Sequence, residues 1–347
     1  MRSWILVFLI ASGLQGCGQN RTQESAYVHD TIQASEIDLK AAIKTASKSE
    51  NIRSLLADRK GKRIVEEYFE RFPSDSLEHV RSVTKSVMAT LIGIAIDKRF
   101  IKGVDESMAK YIDEATDEYE RITIKHLLTM TSGLEWDEGI GYNDNNEMKA
   151  SKSQLNYMLN KPIVYEPGTK WNYSTGGTHL LSIILTRASG MSTLEFAQKY
   201  LFNPLGIQDI RWKQFSGGYY GGGSGLELKP SDMVRLGELF LHKGNYKGRQ
   251  IVSKSYMEDA TSIQQPPNDF FGDTSGYGYC FWISNETKAE GYAAQGYGGQ
   301  TILVLPDYEM IIVTTYKWRV NGNQAGKQQD EAFSVVAYAI MKEFVDF

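Results

Sequence analysis

The sequence predicts an α+β fold, an antiparallel sheet flanked by helices with a mainly helical region inserted. Three observations carry this. Strand-like runs lie near residues 52–69 and return near residues 277–316. The stretch between them, from about 105 to 260, holds helical spacings and Gly-rich loops. A sheet drawn from both ends needs the middle of the chain to leave it and come back. Residues of about 36–80 and 265–347 are therefore assigned to the sheet part, and about 81–264 to the helical region.

The elements follow in order. Asp38–Lys48 has helical spacing. Ile52–Ala57 and Arg63–Phe69 are β-prone runs on either side of Asp58-Arg-Lys-Gly61, which reads as a hairpin. Ser86–Asp97 is apolar nearly all round, the mark of a buried helix. His179–Ser189 and Ser231–Lys243 are the clearest helices of the middle region. Four strands are expected near the end, at Tyr277–Ile283, Tyr292–Gln295, Thr301–Leu305 and Met310–Tyr316. Pro306-Asp-Tyr-Glu309 is the turn between the last two, and Gln328–Phe344 closes the chain as a helix.

Composition removes several function classes. Apolar residues make up 41% and aromatics 12% of the 347 residues, so the chain is neither disordered nor fibrous. Lys and Arg number 38 against 42 Asp and Glu, a net charge of -4. Without a basic excess, nucleic-acid binding is disfavoured. Two Cys, Cys17 and Cys280, cannot form a Cys-rich metal site or a disulfide scaffold. His29, His79, His126, His179 and His242 form no local ligand pair, and no His-Glu-x-x-His is present. No cofactor and no metal are expected.

Residues 1–16 read as an export signal. Arg2 precedes an apolar run from Trp4 to Ala11, too short to span a bilayer permanently. The ending Leu14-Gln-Gly-Cys17 resembles a bacterial lipoprotein processing site, which implies cleavage before Cys17 and lipidation of its thiol. Plain signal cleavage nearby is the alternative. Residues 17–35 then form a tether, with polar Gly18–Ala26 in it, and residues 36–347 form the folded domain. The expected location is the bacterial cell envelope, on the periplasmic side, held to the membrane through a lipid anchor only.

Chemistry begins at Ser82-Val-Thr-Lys85. On a helix the hydroxyl and the amine face the same way. Ser82 would stand at the start of the buried helix, where unpaired backbone N–H groups favour developing negative charge. A buried Lys85 could accept the serine proton. A surface helix start with a Ser cap is the plainer alternative. The Gly-x-Ser-x-Gly elbow of α/β-hydrolases is absent, since Gly222-Gly-Ser-Gly225 is followed by Leu226.

Further segments carry a resemblance. His126-Leu-Leu-Thr-Met-Thr-Ser-Gly-Leu134 resembles the HLLTHTSGL segment of the serine β-lactamase-like family. Glu166-Pro-Gly-Thr-Lys-Trp-Asn-Tyr-Ser174, Asn203-Pro-Leu-Gly-Ile207 and Gly296-Tyr-Gly-Gly-Gln300 resemble further segments of that family in the same order. The S-x-x-K spacing is also found there. The resemblance runs from about residue 50 to the C-terminus and is shared with class C β-lactamases, related esterases and 6-aminohexanoate-dimer hydrolases.

What the resemblance implies is a β-lactamase/transpeptidase-like fold and a set of roles. Ser82 corresponds to the nucleophile, Lys85 to the amine that shares its proton, and Tyr173 to the tyrosine that moves the proton to the leaving group. The backbone N–H groups of Ser82 and Gln300 would form the oxyanion hole. Tyr297, Gly298 and Gly299 would line the substrate site. Trp136 and Tyr142, in the loop Glu135–Asn146, would contact substrate, with a solvated loop as the alternative. The loop Gly217–Gly223 reads as a tight connection or a cleft rim.

Two departures narrow the function. The second element usually reads Tyr-x-Asn, and here it is Tyr173-Ser174-Thr175. The third element carries Tyr297 where β-lactamases have Lys, removing a charge-assisted contact to a β-lactam carboxylate worth roughly 1.5–3 kcal/mol. The expectation is therefore a serine hydrolase acting on an ester or amide of a small or short peptide-like substrate. The alternatives are a β-lactamase, a D-amino-acid peptidase, or a non-catalytic penicillin- or peptidoglycan-binding sensor on the same fold. The oligomeric state is left open.

Overall fold

Seven antiparallel strands form one sheet from the two ends of the chain. The computed structural model describes residues 39–139, 143–266, 275–284 and 290–344. The strands are β1 (Ile52–Arg59), β2 (Lys62–Tyr68), β3 (Ser275–Tyr277), β4 (Trp282–Ser284), β5 (Gly291–Gly296), β6 (Gln300–Leu305) and β7 (Met310–Tyr316). Their order across the sheet is β2-β1-β7-β6-β5-β4-β3. The joint between the early and late parts is the β1–β7 pair, in register from Ser54↔Thr315 to Arg59↔Met310, with a register shift between Ser54 and the outer pair Ile52↔Tyr316.

Side-chain alternation explains why consecutive apolar residues fill the middle of β1, Leu55 to Ala57, and the first part of β7, Met310 to Val313. Successive residues of a strand point to opposite faces. Leu55 and Ala57 join a core with Ile312, Met310 and the terminal helices, while Leu56 joins the larger core with Ile311 and Val313. Both faces of the sheet are therefore covered. The smaller core lies under Lys40–Ala46 and the C-terminal helices, and the larger one under the middle region. The helix Pro230–Leu241 packs on β7, where a Cβ on Gly237 would meet Ile311 Cγ2 at 2.5 Å.

Most expected elements are present with shifted edges. The buried helix spans Val83–Asp97, and its residues from Val83 to Ala95 are all buried. The middle helices span Thr175–Ser189 and Pro230–Leu241. The first begins earlier than its pattern because Gly176 and Gly177 hide the start. Ser174 caps it by accepting the Gly177 N–H at 2.9 Å. A Cβ at Gly176 would lie 2.3 Å from Met158 Sδ and 2.5 Å from Trp136.

Two expectations are corrected. Tyr277–Ile283 is not one strand but the hairpin β3–β4. Gly278 passes so close to Ala260 that a Cβ would meet its carbonyl oxygen at 2.2 Å. Cys280 then takes a left-handed φ of 58° and turns the chain. The closing helix starts at Gly322, not Gln328, because Asn321 caps it through the Gln324 N–H at 3.0 Å. It widens into a π-helical stretch at Glu331–Ala337 before ending at Met341.

Candidate active site

Ser82 is delivered by a short strand and a strained turn. Glu78–His79 pairs with Leu226–Leu228, and the Val80 N–H donates to Leu226 O at 3.0 Å. Arg81 then adopts a φ of 54°, a left-handed conformation uncommon for a residue with a Cβ. Its backbone N–H donates to His79 Nδ1 at 3.1 Å, and its guanidinium donates to Trp318 O at 2.9 Å. The reversal places Ser82 as the N-cap of the helix Val83–Asp97. Its side chain makes no capping hydrogen bond. The Ser-cap alternative therefore does not hold, and Oγ faces another partner.

That partner is Lys85, whose Nζ donates to Ser82 Oγ at 3.0 Å. Lys85 is 1% exposed. Two more acceptors complete its surroundings, Thr175 Oγ1 at 2.8 Å and Gly223 O at 3.0 Å. Nζ also lies 4.6 Å from the centre of the Tyr173 ring. Burial raises the Tyr173 pKa, and the Lys85 charge with hydrogen bonds to Ser82 and Lys85 opposes that rise. The hydroxyl and amine at the start of one helix and the phenol of a distant segment, all expected from the sequence, are thus brought together.

The loop segments hold this cluster through backbone contacts. Thr123 and His126 cap the helix Ile124–Leu128 reciprocally. The chain then reverses at Met130 (φ 61°) and Gly133 (φ 77°). The Asn172 N–H donates to Met130 O at 2.8 Å and the Gly168 N–H to Thr131 O at 2.8 Å. A Cβ on Gly133 would meet Tyr165 O at 2.1 Å. These contacts bind the two segments side by side and aim Tyr173 at Lys85. Trp171, Tyr277 and Trp282 pack around Tyr173 with ring centres 5.3–6.4 Å apart.

Tyr297, Gly298 and Gly299 form the turn between β5 and β6, with Gly296 opposite Gln300. This turn abuts the approach to Ser82, since a Cβ on Gly296 would meet Val80 O at 2.3 Å. The Arg81 guanidinium stacks between Tyr297, 5.3 Å from its ring centre, and Trp318, at 4.7 Å. Gly299 has a φ of 87°, and a Cβ there would strike the Tyr316 ring at 2.6 Å. The Gln300 side chain is buried and bonds Tyr316 O at 2.9 Å.

The loop after Leu134 differs from its expected use. Trp136 is 6% exposed and packs edge-on against Tyr157. Its indole donates to Glu138 Oε2 at 2.8 Å, so it anchors the loop instead of facing substrate. Tyr142 and Cys17 lie outside the described residues. Glu138 was not singled out in the sequence. It accepts from the Thr175 N–H at 2.7 Å and from the Thr175 hydroxyl. Its place within the acidic, Gly-containing stretch Glu135–Asn146 has nothing to separate it from a solvated loop residue.

The loop Gly217–Gly223 is a tight connection that also supplies Gly223 O to the site. Positive φ is needed at Gly218, whereas Gly222 and Gly223 are required by close approach to Thr178 and Thr175. Lys149, half-buried on the helix Asn143–Ala150, has its pKa lowered to about 8 by burial and by the nearby charge of Lys85. Cys280 sits in the β3–β4 turn, its carbonyl accepting from Ser86 Oγ at 2.6 Å. Among the described residues, no three His, Cys, Asp or Glu side chains converge as a metal site would require.

Comparison with known proteins agrees with this architecture. The Beta-lactamase family model matches residues 39–336, and the chain belongs to that family, a family of serine hydrolases. Penicillin-binding protein 4* of Bacillus subtilis is 29% identical over 142 residues, covering 40% of this chain and 31% of that protein. The 6-aminohexanoate-dimer hydrolase of Paenarthrobacter ureafaciens is 23% identical over 289 residues, covering 75% of this chain and 71% of that protein. The crystal structure of a penicillin-binding protein from Bacillus halodurans superposes with a TM-score of 0.68 at 17% identity, over 87% of this chain and 100% of that one. The chain thus spans about a third of the first relative and most of the other two.

Proposed function

We propose that this protein hydrolyses an ester or a linear amide of a small or short peptide-like molecule through an acyl-enzyme on Ser82. The observation that carries the reading is the uncapped Ser82 Oγ held 3.0 Å from a buried Lys85 Nζ, with Tyr173 beside both. Lys85 takes the hydroxyl proton as Oγ bonds to the substrate carbonyl carbon. The carbonyl electron pair moves to oxygen and is stabilised by the backbone N–H groups of Ser82 and Gln300. Tyr173 delivers a proton to the leaving group as the acyl bond breaks, and water then frees the acid by the reverse route.

The ester or linear-amide preference rests on Thr175 and Tyr297. Neither supplies the amide or the cation that would hold a β-lactam. The relative named 6-aminohexanoate-dimer hydrolase supports a linear substrate. A fluorophosphonate probe should form one adduct, on Ser82, and Ser82→Ala should lose both adduct and turnover. Short-chain nitrophenyl esters should be turned over faster than a chromogenic cephalosporin. The opposite ranking defeats the preference, and an unlabelled Ser82 in folded protein defeats the enzyme reading. Lipid attachment at Cys17 belongs to the same reading, and labelled palmitate should enter the wild type but not Cys17→Ala.

A further inference from the structure

Glu138 has a hydrogen-bond arrangement that bears directly on Lys85. Its Oε2 accepts the Thr175 backbone N–H at 2.7 Å and the Trp136 indole N–H at 2.8 Å. Its Oε1 accepts the Thr175 hydroxyl and, at 3.5 Å, the Asn145 amide. All four partners are donors, and an ionised carboxylate only accepts. The Thr175 proton is therefore committed to Glu138. Towards Lys85, Thr175 Oγ1 presents lone pairs alone.

The consequence follows from counting hydrogens on the amine. A neutral amine has two N–H groups and one lone pair. Gly223 O can only accept, and Thr175 Oγ1 has been made an acceptor. These two neighbours take the two N–H groups. The hydrogen that Nζ gives to Ser82 Oγ in the structure is the one absent from the base form, so the lone pair of that form falls on the side where Ser82 and Tyr173 stand. Had the Thr175 hydroxyl pointed the other way, its proton would occupy that lone pair.

We propose that Glu138 is a positioning residue which, through Thr175, sets the direction of hydrogen bonding around Lys85 so that the amine lone pair meets the Ser82 hydroxyl. The inference rests on the proposed role of Ser82 and deepens it. It also gives a use to the Thr that stands where the family's second element usually has Asn.

The test is Glu138→Gln. Two fixed N–H donors at the Oε2 position require the amide oxygen there, which leaves the amide NH2 facing Thr175 Oγ1. The Thr175 hydroxyl must then turn and donate to Lys85. The single-turnover acylation rate on a nitrophenyl ester should fall roughly 100-fold or more, the scale of a lost general base, with KM changed far less. Thr175→Ser keeps the hydroxyl and should stay within about fivefold of wild type, whereas Thr175→Val should fall steeply. In the Thr175→Val background, Glu138→Gln should add less than about twofold, because its route of action is gone.

Wild-type acylation in Glu138→Gln, or the same fold loss with and without the Thr175 hydroxyl, overturns the inference. If circular dichroism shows that Glu138→Gln does not fold, the Thr175 pair decides, and equal rates for Ser and Val overturn it. Turnover surviving in Ser82→Ala would instead strike the underlying assignment of the nucleophile, so the two failures are distinguishable.

Discussion

The carbonyl oxygen of Gly223 lies 3.0 Å from Lys85 Nζ, and only a residue without a Cβ can hold it there. A Cβ at this position would meet Thr178 Oγ1 at 2.5 Å, Thr175 Cγ2 at 2.7 Å and Thr175 O at 2.9 Å. Gly223→Ala must therefore push the loop away from the helix Thr175–Ser189. Overpacking of this kind costs about 1–3 kcal/mol, which thermal or denaturant unfolding will read. Ester turnover should fall further than stability does, because the displaced carbonyl orients Lys85. A fully stable variant with wild-type turnover would remove Gly223 from the site.

His179 makes the fold sensitive to acid. It is 1% exposed on the helix Thr175–Ser189, and burial lowers its pKa to about 4. The unfolded chain takes up this proton near pH 6.5 and the folded one near pH 4. The neutral ring thus contributes stability that is complete above 6.5 and lost as pH falls towards 4, to roughly 3 kcal/mol for a shift of this size. His79, also lowered to about 4, acts in the same window and direction. His179→Gln keeps an acceptor for the Gly222 N–H, and its unfolding free energy should fall less steeply over that range than wild type.

Lys149 works at the other end of the pH scale. Its folded pKa of about 8 lies below the ordinary 10.5, so the unfolded chain holds the extra proton between those values. Stability contributed by this group must rise with pH across the window. Lys149→Met should abolish that rise in denaturant titrations run at pH 8 and at pH 10. An unchanged slope would show that the ammonium is not confined by Lys85 and its neighbours.

Cys280 should behave as an inert thiol in spite of its nearness to Lys85. It is 2% exposed, and burial pushes its pKa up to about 12. The thiolate is the reactive form, so the folded protein should resist thiol reagents at neutral pH and react once unfolded. Rapid labelling of native protein, with loss of activity, would contradict this.

Much of this protein was legible in its residues taken in order. Apolar runs located β1 and β5 to β7, which are buried along most of their length, and the Gly61 turn placed the half-exposed β2 beside β1. The Ser82–Lys85 spacing and the ordered family segments marked the hydroxyl, amine and phenol. Where the pattern failed, a local feature was overridden by a distant one. Tyr277–Ile283 has strand-forming residues, yet Gly278 meets Ala260 and Cys280 must turn. Trp136 reads as a cleft aromatic, yet Gly176 leaves room for its ring in the interior.

Sequence by itself determined which segments form the sheet and which side chains are able to react. Tertiary structure decided how the reactive amine is surrounded. Gly223, Thr175 and Glu138 come from three stretches with no common spacing relative to Lys85, and their meeting depends on loops packed across one another. Hydrogen-bond direction is a property of such a meeting. A threonine can donate or accept, and only the carboxylate brought to its other side makes it an acceptor towards Lys85.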